Sequence, residues 1–156
     1  MRRAHSVHEM RQLLERRAEN KTDVPPILDR LKQNGYLDDA RYAAEYARTH
    51  ARSRKQGRYR ITRELRTRGV PDRHIETALE AAFAVGDEAT MARARIKKKI
   101  AQLHGQLDEK KIASLYRSLL RAGFSGDTIR TELRAARIEA ANVIEAAEAA
   151  ESTEEI

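Results

Sequence analysis

Apolar residues recur along this chain three or four positions apart, the spacing of one helix face, and no alternating strand pattern competes with it. Ile61 and Leu65 mark one side of a segment, and Ala92, Ile96, Ile100 and Leu103 one side of another, with charged residues between them. Three times a leucine stands four residues before a small residue: Leu14 and Ala18, Leu65 and Gly69, Leu119 and Gly123, at intervals of 51 and then 54 residues. A second marker, the acidic start Asp38-Asp39-Ala40-Arg41, returns 49 residues later as Asp87-Glu88-Ala89-Thr90. So regular a period marks a repeat, and small helical repeats build extended surfaces suited to a long partner.

Each unit reads as three helices. The pattern predicts Val7–Arg17, Val24–Gln33 and Asp38–Arg54, then Arg58–Arg68, Pro71–Phe83 and Asp87–His104, then Asp108–Arg121, Ser125–Arg137 and an Ala/Glu-rich remainder. The expected fold is all-α: about three tandem three-helix repeats (6–54, 55–105 and 106–138) stacked into an elongated curved body, followed by an acidic tail at 139–156. Gly35, Gly69 and Gly123 suit the left-handed position just past a helix, and arginines in the turns before Gly69 and Gly123 suit the negative end of the helix dipole. Asp23 before Pro25-Pro26, Asp38, Pro71 with Asp72, Asp108 and Ser125 mark helix starts. Asp38-Asp39 is accordingly read as capping rather than as a carboxylate pair for acid/base chemistry.

Composition thins the core. The chain has 156 residues, 40% hydrophobic content drawn largely from alanine, 4% aromatic residues and no Trp, so neighbouring units have to stack for stability. Tyr36, Tyr42, Tyr46, Tyr116, Phe83 and Phe124 are read as core and staple residues. The absence of Cys removes disulfides and thiol catalysis and suits a reducing cytoplasm. Apolar runs are too short to span a bilayer, and Met1-Arg-Arg-Ala-His leads into no signal-peptide stretch, so a cytoplasmic protein with no membrane contact is expected.

Charge changes the picture more. The net charge of +7 divides unevenly: Arg41 to Arg68 holds ten Lys/Arg against two acids, Glu45 and Glu64, a segment charge of +8. From Glu139 onward six Glu face no Lys or Arg, a charge of −6. On a helix Arg41, Arg48 and Arg52 form one stripe beside the Tyr42/Tyr46 face, and Tyr59, Arg60, Arg63 and Arg66 lie opposite Ile61 and Leu65. Arg54, Lys55 and Arg58 lie between these stripes, while Arg95 and Lys98 are expected to be exposed on the long helix of unit two. These twelve residues are the candidate contacts to a polyanion, since guanidinium groups fork onto phosphate and release counterions. The plainer reading is a solubilising surface; the scarcity of balancing acids in this stretch weighs against it. Tyr59 fits base stacking and interface packing equally. The acidic tail reads as a solvated terminus, with competition against phosphate for the arginine faces as the second reading.

Catalytic patterns are missing: there is no Gly-rich phosphate loop, no nucleophile elbow and no Cys/His metal spacing. His5 and His8 have no matching pair, and His50, His74 and His104 stand alone, so neither metal, cofactor nor enzyme activity is expected.

Two runs carry a specific likeness. Leu31-Lys-Gln-Asn-Gly-Tyr-Leu-Asp-Asp-Ala-Arg-Tyr-Ala-Ala-Glu-Tyr-Ala-Arg48, followed by Gly57-Arg-Tyr-Arg-Ile-Thr-Arg-Glu-Leu-Arg-Thr-Arg-Gly-Val70, resembles the RecX family of bacterial recombination regulators, with the likeness running from about His5 to Ala135. The resemblance implies tandem three-helix repeats and a regulator that binds RecA and its filament on single-stranded DNA, and the expected elongated shape favours a monomer. Such a regulator holds down strand exchange, ATP hydrolysis and co-protease function, and binds single- or double-stranded DNA. A non-specific helical-repeat nucleic-acid-binding protein is the alternative. Two departures from the pattern are Ala18 in place of a turn glycine and a last segment whose only large apolar residues before the terminal Ile156 are Val143 and Ile144.

Overall fold

The computed structural model describes residues 4–83, 88–103 and 107–138, and these are helical with turns and no strand. The acidic tail lies outside them. The chain divides into two compact units, Met1–Gly86 and Asp87–Ile156. The first holds α1 (Val7–Glu15), a 3-10 turn at Lys21–Asp23, α2 (Val24–Gln33), α3 (Asp39–Arg52), α4 (Arg58–Thr67) and α5 (Asp72–Phe83). The second holds α6 (Glu88–Ile100), α7 (Glu109–Ala122) and α8 (126–138).

Helix starts follow the capping chemistry of the sequence. The Asp38 and Asp108 side chains accept from the N–H groups of Arg41 and Lys111, and the Ser125 hydroxyl accepts from Thr128. Asp39 caps a different helix: its Oδ1 accepts from the Val7 N–H at 2.9 Å, binding the start of α3 to the start of α1. Ser6 and Glu9 form a capping box on α1, and the fully buried Ser6 hydroxyl also donates to the Arg68 carbonyl at 2.6 Å.

Three helices stop in the same way. Gly35, Gly69 and Gly123 take φ of +72°, +71° and +92°, and the next residue's N–H reaches back to Leu31, Leu65 and Leu119. Leu14 and Ala18 do not belong with them. Ala18 donates to the Leu14 carbonyl at 2.8 Å without a left-handed residue, so the Leu31 to Gly35 turn, not the Leu14 to Ala18 one, is the structural counterpart of the other two.

Packing sets the grouping of helices. In the first unit Val24, Leu28 and Leu37 form a core with Val7, Met10, Leu14, Ala18 and Leu31. Beside it α3 buries Ala43, Ala47 and Ala51, each at most 1% exposed, and packs extensively on α5. A stripe of alanines four apart lets one helix approach another closely, which is where much of the alanine-derived hydrophobicity goes. Ile61, Leu65, Ile75 and Phe83 supply the larger buried surface, each worth roughly 1.5–3 kcal/mol. In the second unit Ala92, Ile96, Leu115, Leu119, Phe124, Ile129 and Leu133 share one core. The packed triplets are therefore α3–α4–α5 and α6–α7–α8, one helix out of register with the expected boundaries at 54/55 and 105/106. The periodic markers fit either register; only the contacts choose between them.

Several helix ends fall short of the pattern, α1 stopping at Glu15 rather than Arg17 and α4 at Thr67 rather than Arg68. α3 stops at Arg52 because Lys55 turns left-handed (φ 52°) and the Gln56 N–H folds back onto the His50 carbonyl. α6 stops at Ile100, which leaves Leu103 beyond the helix and 36% exposed rather than buried.

Candidate nucleic-acid interface

The basic side chains of α3 and α4 sort by what holds them. Arg48 is paired with Glu45, Arg60 Nε donates to Glu64 at 2.8 Å, and Arg66 makes a forked contact with Asp72 at 2.7 and 3.3 Å. That fork holds the Asp72 carboxyl below its usual range. Arg41 donates to the Gly35 carbonyl at 2.7 Å, and Arg58 donates to the Leu79 carbonyl while lying over the Phe83 ring, 5.3 Å from its centre. Much of the basic stretch is thus engaged in fastening helix to helix. Arg52, Arg54 and Arg63 differ: they are exposed, and among the described residues no carboxylate pairs with them. Lys55 is exposed in the α3–α4 turn, and Tyr59 is 68% exposed on the first turn of α4.

Arg95 and Lys98 belong to the second unit. Arg95 is half-buried on α6 rather than exposed, because it stands one position before Ile96 at the edge of the buried face; Lys98 is exposed as expected. The site as read from sequence is therefore divided: ten of its residues sit on α3, α4 and the turn between them, two on α6.

Beneath the arginines lies a polar lock. The Tyr46 hydroxyl donates to Glu64 at 2.6 Å, and its ring stacks on His50 with centroids 3.8 Å apart. Burial, reinforced by the hydrogen bond to Glu64, pushes the Tyr46 hydroxyl up to about 12. Burial opposes ionisation of Glu64 too, yet hydrogen bonds from Tyr46 and Arg60 hold its carboxyl below the usual value. His50 is buried and bonded through Nδ1 to Gln56 Oε1 at 2.7 Å; burial lowers its pKa and keeps the ring neutral at pH 7, so its 3.5 Å approach to Glu64 is not an ion pair there. Arg68 completes a second lock, donating to Glu9 at 2.6 Å with its guanidinium 5.1 Å from the Tyr46 ring centre.

These side chains wall a groove of about 730 Å³ along α3, lined among others by Tyr36, Asp38, Arg41, Tyr42, Glu45, Tyr46, His50, Arg54 and Arg68. Sequence reading missed it. It treated Tyr36 as a core or staple residue, whereas the ring is 73% exposed at the groove. His50, read as an isolated histidine, is part of the floor. Among the described residues no helix is long and apolar enough to cross a membrane.

Comparison with known proteins agrees with the likeness of the two runs. Residues 38–79, which span α3, α4 and most of α5, match the family model of the second three-helix domain of RecX. The chain is 35% identical to the regulatory protein RecX of Halorhodospira halophila, over 86% of this chain and 81% of that one. It is 32% identical to the regulatory protein RecX of Prosthecochloris aestuarii, over 84% and 83%. The crystal structure of RecX from Lactobacillus salivarius superposes with a TM-score of 0.73 at 20% identity, covering 85% of each chain. A second crystal structure of regulatory protein RecX gives 0.72 at 23% identity, covering 83% of this chain and 64% of that one.

Proposed function

Because the chain belongs to the RecX family of regulatory proteins, we propose that it binds RecA and the RecA filament on single-stranded DNA and restrains strand exchange, ATP hydrolysis and co-protease function. In this reading it works in the cytoplasm as a monomeric regulator of DNA repair and recombination, by binding rather than by catalysis. Arg52, Arg54 and Arg63 meet DNA phosphate. The observation that supports this most directly is their exposure without a paired carboxylate among the described residues, on α3, α4 and the turn between them, where the chain's positive charge concentrates. Arg48, Arg60 and Arg66 already satisfy acids and contribute less, since leaving a partner offsets what phosphate would add.

Two measurements test the two halves. RecA ATP hydrolysis on saturating single-stranded DNA is followed while the protein is added far below one molecule per RecA. Inhibition at that ratio supports action on the filament. Inhibition only when enough protein is present to coat the DNA replaces the regulator with a non-specific nucleic-acid binder. For the phosphate contacts, three engaged arginines give a log K against log salt slope of about −2 on a single strand. Changing Arg52, Arg54 and Arg63 to Gln flattens that slope, whereas changing Arg48, Arg60 and Arg66 moves it by less than half as much. Equal effects from the two sets would remove the distinction.

A further inference from the structure

The three glycine-terminated turns differ in one place. After Gly69 and Gly123 the next residue closes the turn by burying an apolar side chain: Val70 is 4% exposed and Phe124 is 1% exposed. That contact is the usual companion of such a turn. After Gly35 the next residue is Tyr36, 73% exposed, and the apolar contact passes to Leu37, 5% exposed. The turn is one residue longer, with both the Tyr36 and Leu37 N–H groups bonded to the Leu31 carbonyl at 2.9 and 3.2 Å. Its backbone is thus held while the ring is turned out. Arg41 braces the same turn through the Gly35 carbonyl.

The ring is turned toward the groove along α3, whose volume of about 730 Å³ falls within the range of ligand pockets, about 300–1,000 Å³. Arg41 and Arg54 share that lining, and among the described residues no ion pair occupies Arg54. An exposed aromatic on fixed backbone beside guanidinium groups is the arrangement that stacks an unpaired base and holds the adjoining phosphate. Asp38 and Glu45 also line the groove. Carboxylates disfavour an acidic peptide but accept from the amino and imino groups on base edges.

We propose that the groove beside α3 takes an unpaired nucleotide of single-stranded DNA, its base stacked on Tyr36 beside Arg41, with the phosphates of the adjoining strand running along α3 to Arg54. This deepens the phosphate-binding reading and rests on it: the arginine face holds backbone of either strand form, and the groove adds selection for a base that is not paired. Stacking energies of single bases make the contact worth about tenfold in affinity.

The full chain has no Trp, so Tyr36→Trp installs a single fluorescent reporter in the groove. An oligothymidine strand is expected to quench it, and a strand of equal length with abasic sites is not. In anisotropy titrations the unmodified protein should bind oligothymidine about tenfold more tightly than the abasic strand. Tyr36→Ala should abolish that preference and Tyr36→Phe should keep it, with helicity unchanged in both because the ring is exposed. Equal affinity for the two strands with a salt slope near −2 would overturn the groove while leaving the phosphate contacts standing. No binding to either strand would overturn both readings. Quenching by polyglutamate but not by oligothymidine would overturn the proposal in favour of an acidic peptide.

Discussion

The triplets α3–α4–α5 and α6–α7–α8 answer one another position by position at sequence offsets of 49 for the first helix and 54 for the other two. Ala43 and Ala92 are both fully buried; Ile61 matches Leu115, Leu65 matches Leu119, Ile75 matches Ile129 and Leu79 matches Leu133, each pair alike in burial. One buried pair differs in kind. Ala78 and Glu132 are each 3% exposed, and Glu132 takes a forked contact from Arg93 at 2.7 and 3.2 Å, where the first triplet has Ala44. The helix face therefore constrains burial, not polarity: a carboxylate occupies an alanine's place once a guanidinium reaches it. The outer faces differ as well. Tyr46 and His50, which floor the groove, correspond to Arg95 and Lys99, so the second triplet repeats the scaffold without the aromatic lock.

The largest test of this equivalence truncates matched core residues. Ile75→Ala and Ile129→Ala should each cost about 3 kcal/mol in urea unfolding, and a twofold disparity would show that the two cores are not equivalent. Next comes the position where they differ. Arg93→Ala leaves Glu132 buried without that partner and should cost about 2 kcal/mol, below the range for fully buried pairs because Arg93 is half exposed. Adding Glu132→Ala, which recreates the Ala44/Ala78 arrangement of the first triplet, should recover part of the loss; a purely additive double mutant would contradict this.

Turn glycines give a smaller contrast. Gly69→Ala should cost about 2 kcal/mol and Gly35→Ala about 1 kcal/mol. Both have positive φ, but a Cβ on Gly69 would lie 2.4 Å from His8 and one on Gly35 meets nothing within 4 Å. Replacing His8 by Gly, which removes the Cβ at 2.4 Å as well as the ring, should narrow the gap in thermal unfolding, and His8→Ala, which keeps that Cβ, should narrow it less. The smallest effect is in pH. His50 has a lowered pKa in the folded state, so its contribution is complete above the ordinary value of 6.5 and declines as pH falls through the lowered one. Glu64, also lowered, loses its contribution further down, as pH falls below 4.5 and through its own folded value. The second triplet has Lys99 where the first has His50, and lacks the first step. Unfolding free energy measured from about pH 8 to about pH 5 should therefore fall in the unmodified protein and flatten in His50→Phe.

Much of the site was legible and some of it was not. Charge density along Arg41 to Arg68 was open to counting, and the placement of Arg63 opposite Ile61 and Leu65 followed from helical periodicity. Which arginines are already engaged was not. Arg66 meets Asp72 across a turn, Arg68 meets Glu9 from 59 residues away, and Arg58 crosses to α5. Only the first of these lies within the reach of local pattern. Arg95 showed the limit of counting faces, because a residue beside a buried position can fall on either side of the boundary. The capping box Ser6-Val7-His8-Glu9 was also readable, and it marks the same start of α1 at Val7 that the apolar spacing gives.

Helix existence and the left-handed glycine turns were determined by the sequence alone, because each rests on interactions within a few residues: backbone hydrogen bonds, caps and the periodicity of one face. The register of the triplets, the exposure of Tyr36 and the division of the arginines into engaged and unpartnered were decided only by tertiary structure. Each of these depends on which distant surface arrives to cover a face, and the same local pattern is compatible with either outcome until that surface is in place.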